Sequence, residues 1–299
     1  MKRQIITDSF IARLEAITFN MKSAMKGFFG GVHKTDSYGS TVEFADFREY
    51  VLGDDLRKID WNLYSRFEKF FIKLFTDERQ MHIQIYIDCS ASMAFKNSLK
   101  DEFSLKMAAA LGYLAIQNMD KVSFKLIYED ECVDLCGVIS SKSAYIRALE
   151  KLEEVKFYGI ANIEKAITGK LDVGYSDGMS VIISDFLSDD SFKNAVDYLL
   201  YRHREVMLIQ VLDQQEISPT YKGRNILIDS ESVEKLDEKN IKLNITKSDY
   251  EAYLKALDDY LNDILTFANK RGISYIRGIS NEEVEKVFFE QLYERGVIK

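Results

Sequence analysis

The sequence predicts an α/β protein: a doubly wound, mostly parallel sheet with a helix-and-strand extension before it and a helical extension after it. Three observations predict it. Met179 to Ser184 and Val206 to Leu212 are uninterrupted apolar runs of strand length, the pattern of strands covered on both faces. Helical patterns stand between such runs, and strands alternating with helices make a parallel sheet. The composition, 46% hydrophobic and 29% charged over 299 residues, supports a large core and excludes a mainly disordered chain.

The elements follow in order. Phe10, Leu14, Ile17, Met21, Met25 and Phe28 recur at three- and four-residue steps, giving an amphipathic helix from Asp8 to about Phe29. Asp8 suits its N-cap and Gly30-Gly31 its stop. Arg13, Lys22 and Lys26 give it a basic polar side, so it either lies on a membrane surface or packs on its own domain. Residues 41–47 and 69–75 read as short strands flanking a polar turn from Leu52 to Trp61.

A different grammar starts at His82. His82 to Asp88 is a strand, and Leu99 to Asn118 a helix rich in Ala, Leu and Met. Val122 to Tyr128 and Cys132 to Val138 are strands joined by an acidic turn, followed by helices at Ser143 to Leu152 and Ile163 to Lys170. Met179 to Ser184 is a strand, Ser191 to His203 a helix and Val206 to Leu212 a strand. Beyond Asp213, Ile226 to Asp229 and Ile241 to Ile245 suggest a hairpin. A long helix (Asp249 to Lys270), a last strand (Ile273 to Ile276) and a final helix (Glu282 to Tyr293) complete the chain. The expected organisation is residues 1–80 packed on the main domain, 81–212 as that domain, and 213–299 completing it.

Charge and composition exclude several functions. Residues 1–80 carry 13 Lys and Arg against 12 Asp and Glu, and residues 81–299 carry 27 against 36. An acidic body does not suit broad nucleic-acid binding, which needs a basic face. Three cysteines cannot build a secreted disulfide framework, no apolar run reaches the ~18 residues of a membrane span, and the N-terminus lacks a signal-peptide pattern. A soluble, cytoplasmic protein is the expectation. No P-loop, dinucleotide fingerprint or Gly-x-Ser-x-Gly elbow occurs, and the three histidines lie in separate elements. Cys132 and Cys136 are four residues apart without a second pair, so they read as buried thiols ahead of a zinc site.

One constellation carries chemistry. The strand ending at Asp88 continues into Cys89-Ser90-Ala91-Ser92, which puts a carboxylate and two hydroxyls at the carboxyl edge of the sheet. Open α/β sheets place their ligands at that edge. Asp185, at the end of a later strand, brings a second carboxylate to the same edge. Oxygen donors of low total charge suit a small hard cation, Mg²⁺ or Mn²⁺, that stays electrophilic toward an outside carboxylate. The alternative is a loop in which Asp88 and the serines bond only backbone amides.

The pattern Asp88-x-Ser90-x-Ser92 with Asp185 resembles the metal-ion-dependent adhesion site of von Willebrand factor A domains. The stretch Glu43 to Trp61, with Arg66 and Lys73 to Glu78, resembles the signature of the bacterial and archaeal family catalogued as domain of unknown function number fifty-eight. In that family the signature leads into a von Willebrand factor A-like domain. The resemblance implies metal binding by Asp88, Ser90, Ser92 and Asp185, a non-catalytic interaction module, and a MoxR-type AAA+ ATPase as protein partner. It also implies a departure. Ala161 stands where the adhesion site usually has a threonine ligand, with Asn162 beside it. Within the signature, Asp54, Asp55, Arg57, Asp60 and Trp61 form either a structural network or a partner surface. Two other functions stay open: a metal-dependent hydrolase using Asp88 and Asp185, and a membrane-surface adaptor using the N-terminal helix.

Overall fold

The computed structural model describes residues 7, 9–13, 15, 42–77, 80–94, 98–169, 178–187, 192–219, 223–227, 241–284 and 286–287. The chain divides into two compact units, one of residues 30–80 and one of residues 1–29 with 81–299.

In the smaller unit, β1 (Val42–Glu49) pairs antiparallel with β2 (Phe71–Asp77), with an irregularity between Phe44 and Asp46. The connection is more helical than its polar sequence predicts. A 3-10 turn spans Leu56–Lys58 and α1 spans Trp61–Phe67. Asp60 caps α1 by accepting from the Asn62 and Leu63 amides, and Glu68, in the left-handed region at φ 56°, ends it. No residue of α1 is buried, so it shows no apolar stripe from which a helix could be read.

The larger unit holds a six-stranded sheet. In chain order its strands are β3 (His82–Asp88), β4 (Lys121–Tyr128), β5 (Glu131–Asp134), β6 (Gly178–Ser184), β7 (Arg204–Leu212) and β10 (Ser274–Ile279). Their spatial order is β10-β7-β6-β3-β4-β5, all parallel except the short edge strand β5. The chain builds outward from β3 to β5, then returns to place β6 on the other side of β3. That reversal is the topological switch point of a doubly wound fold.

The helices are α2 (Lys100–Gln117), α3 (Lys142–Leu152), α4 (Ile163–Thr168), α5 (Phe192–Tyr201), α6 (Gln214–Ile217) and α7 (Lys247–Arg271). Strand side chains alternate between faces. Ile83, Ile85, Ile87, Val181, Ile183 and Ile209 therefore enter one core with α2 and Tyr145, while Tyr86, Ile182, Leu208 and Tyr275 enter a second with α4, α5 and Ile264 of α7. The sheet is buried on both faces, as its apolar strands require.

Residues 9–13 and 15 are helical, and Phe10, 2% exposed, belongs to the first core. That contact favours own-domain packing for the start of this helix. Its remaining apolar positions lie outside the described residues. The expected hairpin is present as β8 (Gly223–Leu227) paired antiparallel with β9 (Ile241–Ile245), while the expected loop from Asp229 to Lys239 is outside the described residues. Residues 284, 286 and 287 are helical, and the rest of the final helix expected to Tyr293 is also outside them. Among the described residues, no helix is long and apolar enough to cross a membrane.

Candidate functional site at the carboxyl edge of the sheet

Asp88 ends β3 at the switch point and is 4% exposed. The β3–β6 register pairs Ile87 with Ile183, so Ser184 stands beside Asp88 one step further along. Its hydroxyl donates to Asp88 Oδ2 at 2.6 Å. Asp88 Oδ1 accepts the Ser90 amide at 2.9 Å, a local turn that brings Ser90 back over the strand end. Ser90 Oγ and Ser92 Oγ lie 3.1 Å apart. The hydroxyls of the Asp-x-Ser-x-Ser pattern thus converge beside its carboxylate.

The loop before α4 closes one side. Ala91 N donates to Gly159 O at 2.9 Å and Tyr158 N to Cys89 O at 2.8 Å. Ala161 is buried and bridges Glu129, while Asn162 Oδ1 caps α4 by accepting the Lys165 amide at 2.9 Å. The Asn162 amide oxygen is thereby engaged in the cap.

The electrostatics are those of a buried carboxyl group that, among the described residues, has no counter-charge. Burial pushes the Asp88 carboxyl up, and the nearby charge of Asp185 adds to this; the hydroxyls of Ser184 and Ser90 and the Ser90 amide oppose it only in part. Among the described residues no cationic side chain pairs with Asp88. Asp88, Ser90 and Ser92 offer hard oxygen donors, and a buried carboxylate without a counter-charge is what a bound cation would relieve, so these residues fit such an ion. Among the described residues no three His, Cys, Asp or Glu side chains cluster around one point, so an ion here would depend on hydroxyls and water. Cys89, between Asp88 and Ser90, is fully buried with its thiol pushed up by burial, which leaves it unsuited as a nucleophile. Cys132 and Cys136 are half-buried free thiols, where the sequence suggested burial.

The sequence matches the family described as "Protein of unknown function DUF58" over residues 46–257, most of its length. The chain belongs to the DUF58 family. Relatives include the uncharacterized proteins Rv1480 of Mycobacterium tuberculosis and Mb1516 of Mycobacterium bovis. Each is 24% identical over 226 residues, covering 74% of this chain and 71% of the relative. Among solved structures, the pilus adhesin SpaC of Lactobacillus rhamnosus GG in its open conformation aligns at 8% identity and a TM-score of 0.41. That match covers 74% of this chain and 30% of the adhesin, so the chain spans under a third of the adhesin's length.

The DUF58 match takes in the signature residues as well as the edge. In the smaller unit, Asp54 accepts both Arg48 guanidinium nitrogens, at 2.9 and 2.7 Å, and the Val51 amide at 2.9 Å. Asp55 accepts the Arg57 amide at 3.0 Å, and Asp60 caps α1. These three carboxylates shape their own connection. Trp61, 61% exposed, meets Tyr64 and Phe70 edge-on with centroids 6.1 and 6.4 Å away.

Asp185 reaches the DUF58 edge but its side chain leads elsewhere. Lys100 Nζ donates to Asp185 Oδ2 at 2.9 Å and to Glu216 Oε1 at 2.6 Å, and Asp185 Oδ1 accepts the Leu187 amide at 3.1 Å. Glu216 Oε2 accepts the Asp213 amide at 2.7 Å in the capping box of α6, and Asp213 Oδ2 accepts the Ser280 hydroxyl at 2.9 Å. Burial alone would lower the Lys100 ammonium, but the charges and hydrogen bonds of both carboxylates outweigh it and raise it. Lys100, Glu216 and the bonding role of Ser184 escape sequence reasoning. Lys100 is 85 residues from Asp185 and 116 from Glu216, and no local pattern announces such a contact.

Proposed function

We propose that this chain is a non-catalytic interaction module that docks a protein partner through a hard divalent cation, Mg²⁺ or Mn²⁺, held by Asp88, Ser90 and Ser92. The supporting observation is the buried Asp88 carboxylate, which among the described residues has only neutral donors around it and two hydroxyls beside it. When bound, the ion supplies an open position for an acidic group of the partner. Asp88 anchors it, Ser90 and Ser92 add donors without adding charge, and exposed Tyr158, Ile160 and Leu187 around the edge supply the contacts that one carboxylate cannot make specific. The strand order and the Asp-x-Ser-x-Ser turn support a von Willebrand factor A-like reading of the domain, and the family resemblance points to a MoxR-type AAA+ ATPase as partner.

A cation at about 100 times its Kd stabilises the folded state by about 2.7 kcal/mol. For a domain of ~200 residues this raises Tm by roughly 5–10 °C. The expected result is such a shift with Mn²⁺ in the wild type, its loss in Asp88→Asn and its weakening in Ser90→Ala. Equal shifts in wild type and Asp88→Asn would refute the site. Retention of the ATPase in Mg²⁺ but not in chelator is the expected partner result; equal retention in both would remove the metal bridge.

A further inference from the structure

Lys100 stands where a cation is least expected. It is the first residue of α2, where the helix dipole disfavours positive charge, and it is 1% exposed. An ammonium taken from water into such a place is costly unless paired. Here two carboxylates from distant parts of the chain converge on it, Asp185 after β6 and Glu216 in α6. Further hydrogen bonds hold the backbone at both carboxylates. Gln210 Nε2 donates to the Asp185 carbonyl at 2.8 Å, and Tyr275 OH donates to Gln210 Oε1 at 2.5 Å. Tyr253 OH donates to the Glu216 carbonyl at 2.7 Å.

We propose that Lys100 is the resident counter-cation of Asp185, withholding that carboxylate from any metal ion at Asp88, Ser90 and Ser92. The proposal rests on the reading of that edge as a cation site. Asp185 is then a spectator whose charge is felt by Asp88 but whose Oδ2 is occupied by the Lys100 ammonium. A cation at the edge meets one carboxylate, two hydroxyls and water. Because affinity for hard cations follows the number of charged ligands, Lys100 keeps the site weak and its ion exchangeable. It also preserves the electrophilicity that lets the ion accept a partner's carboxylate. Lys100 is a positioning residue in this arrangement, acting on the metal through Asp185.

The test is Mn²⁺ titration, followed by calorimetry and Tm, of wild type, Lys100→Gln, Asp185→Asn and the double variant. Lys100→Gln frees Asp185 and is expected to bind Mn²⁺ at least about tenfold more tightly, the scale on which partners of ligands act. The gain should vanish in the double variant, and Asp185→Asn alone, which also removes a negative charge near Asp88, should bind no more tightly than wild type. Unchanged affinity in Lys100→Gln, or a gain that survives in the double variant, overturns the proposal. A gain in Asp185→Asn would overturn it while leaving the cation site standing. A silent wild type with a responsive Lys100→Gln would instead sink the functional reading and support this one. Should Lys100→Gln fail to fold, the ¹⁵Nζ resonance of Lys100 in the wild type decides. It should keep its position and its slow hydrogen exchange in millimolar Mg²⁺, and its loss there would mean that the metal has taken Asp185.

Discussion

Removing one oxygen atom from β6 tests the geometry around Asp88. Ser184 is 1% exposed and its hydroxyl has two partners, donating to Asp88 Oδ2 at 2.6 Å and accepting the Phe186 amide at 3.1 Å. Ser184→Ala leaves almost no cavity, so the cost is polar. A hydrogen bond to a charged group contributes about 1.5–3 kcal/mol, and an orphaned buried amide costs about 1–3 kcal/mol. With some local relaxation the expected loss is about 3 kcal/mol where Asp88 is ionised. The loss also has a definite pH dependence. Asp88 titrates higher in the folded chain than in the unfolded one, so it favours folding below its unfolded value and disfavours it as pH rises through the folded value. Ser184 holds the folded value down. Without it the value climbs further, and the penalty should grow as pH rises through the folded value. Urea denaturation followed by far-UV circular dichroism is the suitable assay, because it reports on helices and strands directly. A loss under about 1 kcal/mol, or one that is flat or shrinks with rising pH, would refute the reasoning.

Two further substitutions probe the same domain. Asp120 accepts the Met81 amide at 2.8 Å, and burial pushes its carboxyl up to about 6, so its contribution to stability is lost as pH rises through about 6. Asp120→Asn keeps an acceptor without the charge. It should be more stable than wild type by about 1–2 kcal/mol near pH 8 and equal to it near pH 4, in paired thermal melts at the two values. Gly112 is a helical glycine whose added Cβ would meet Phe124 Cζ at 2.8 Å and Tyr145 Cε2 at 3.0 Å. Gly112→Ala should therefore destabilise by about 1–3 kcal/mol despite a gain of about 1 kcal/mol in helix propensity. A stabilised variant in urea would show that this core has slack.

The elements that sequence reasoning reached are those whose signal is local and periodic. Met179 to Ser184 and Val206 to Leu212 carry strand and burial in the same residues, and β6 and β7 match them closely except that β7 starts earlier, at Arg204. That arginine is buried, donating through Nε to Ser180 Oγ at 2.7 Å and through its terminal nitrogen to the His82 and Met179 carbonyls, partners that only the folded sheet gathers. Helix α1 was illegible for the opposite reason, since none of its residues is buried and its start depends on the single cap of Asp60.

The sequence by itself determined the alternation of strand and helix, the carboxyl-edge position of Asp88, and the turn that folds Ser90 and Ser92 back beside it. These depend on period, on strand length and on contacts within five residues, which the order of residues states directly. The tertiary structure alone decided that β6 returns beside β3, so that Ser184 faces Asp88, and that α2 brings Lys100 to Asp185 and Glu216. Those partners lie 85 to 116 residues apart along the chain. Only burial, by making an unpaired charge costly, selects the one arrangement in which they meet.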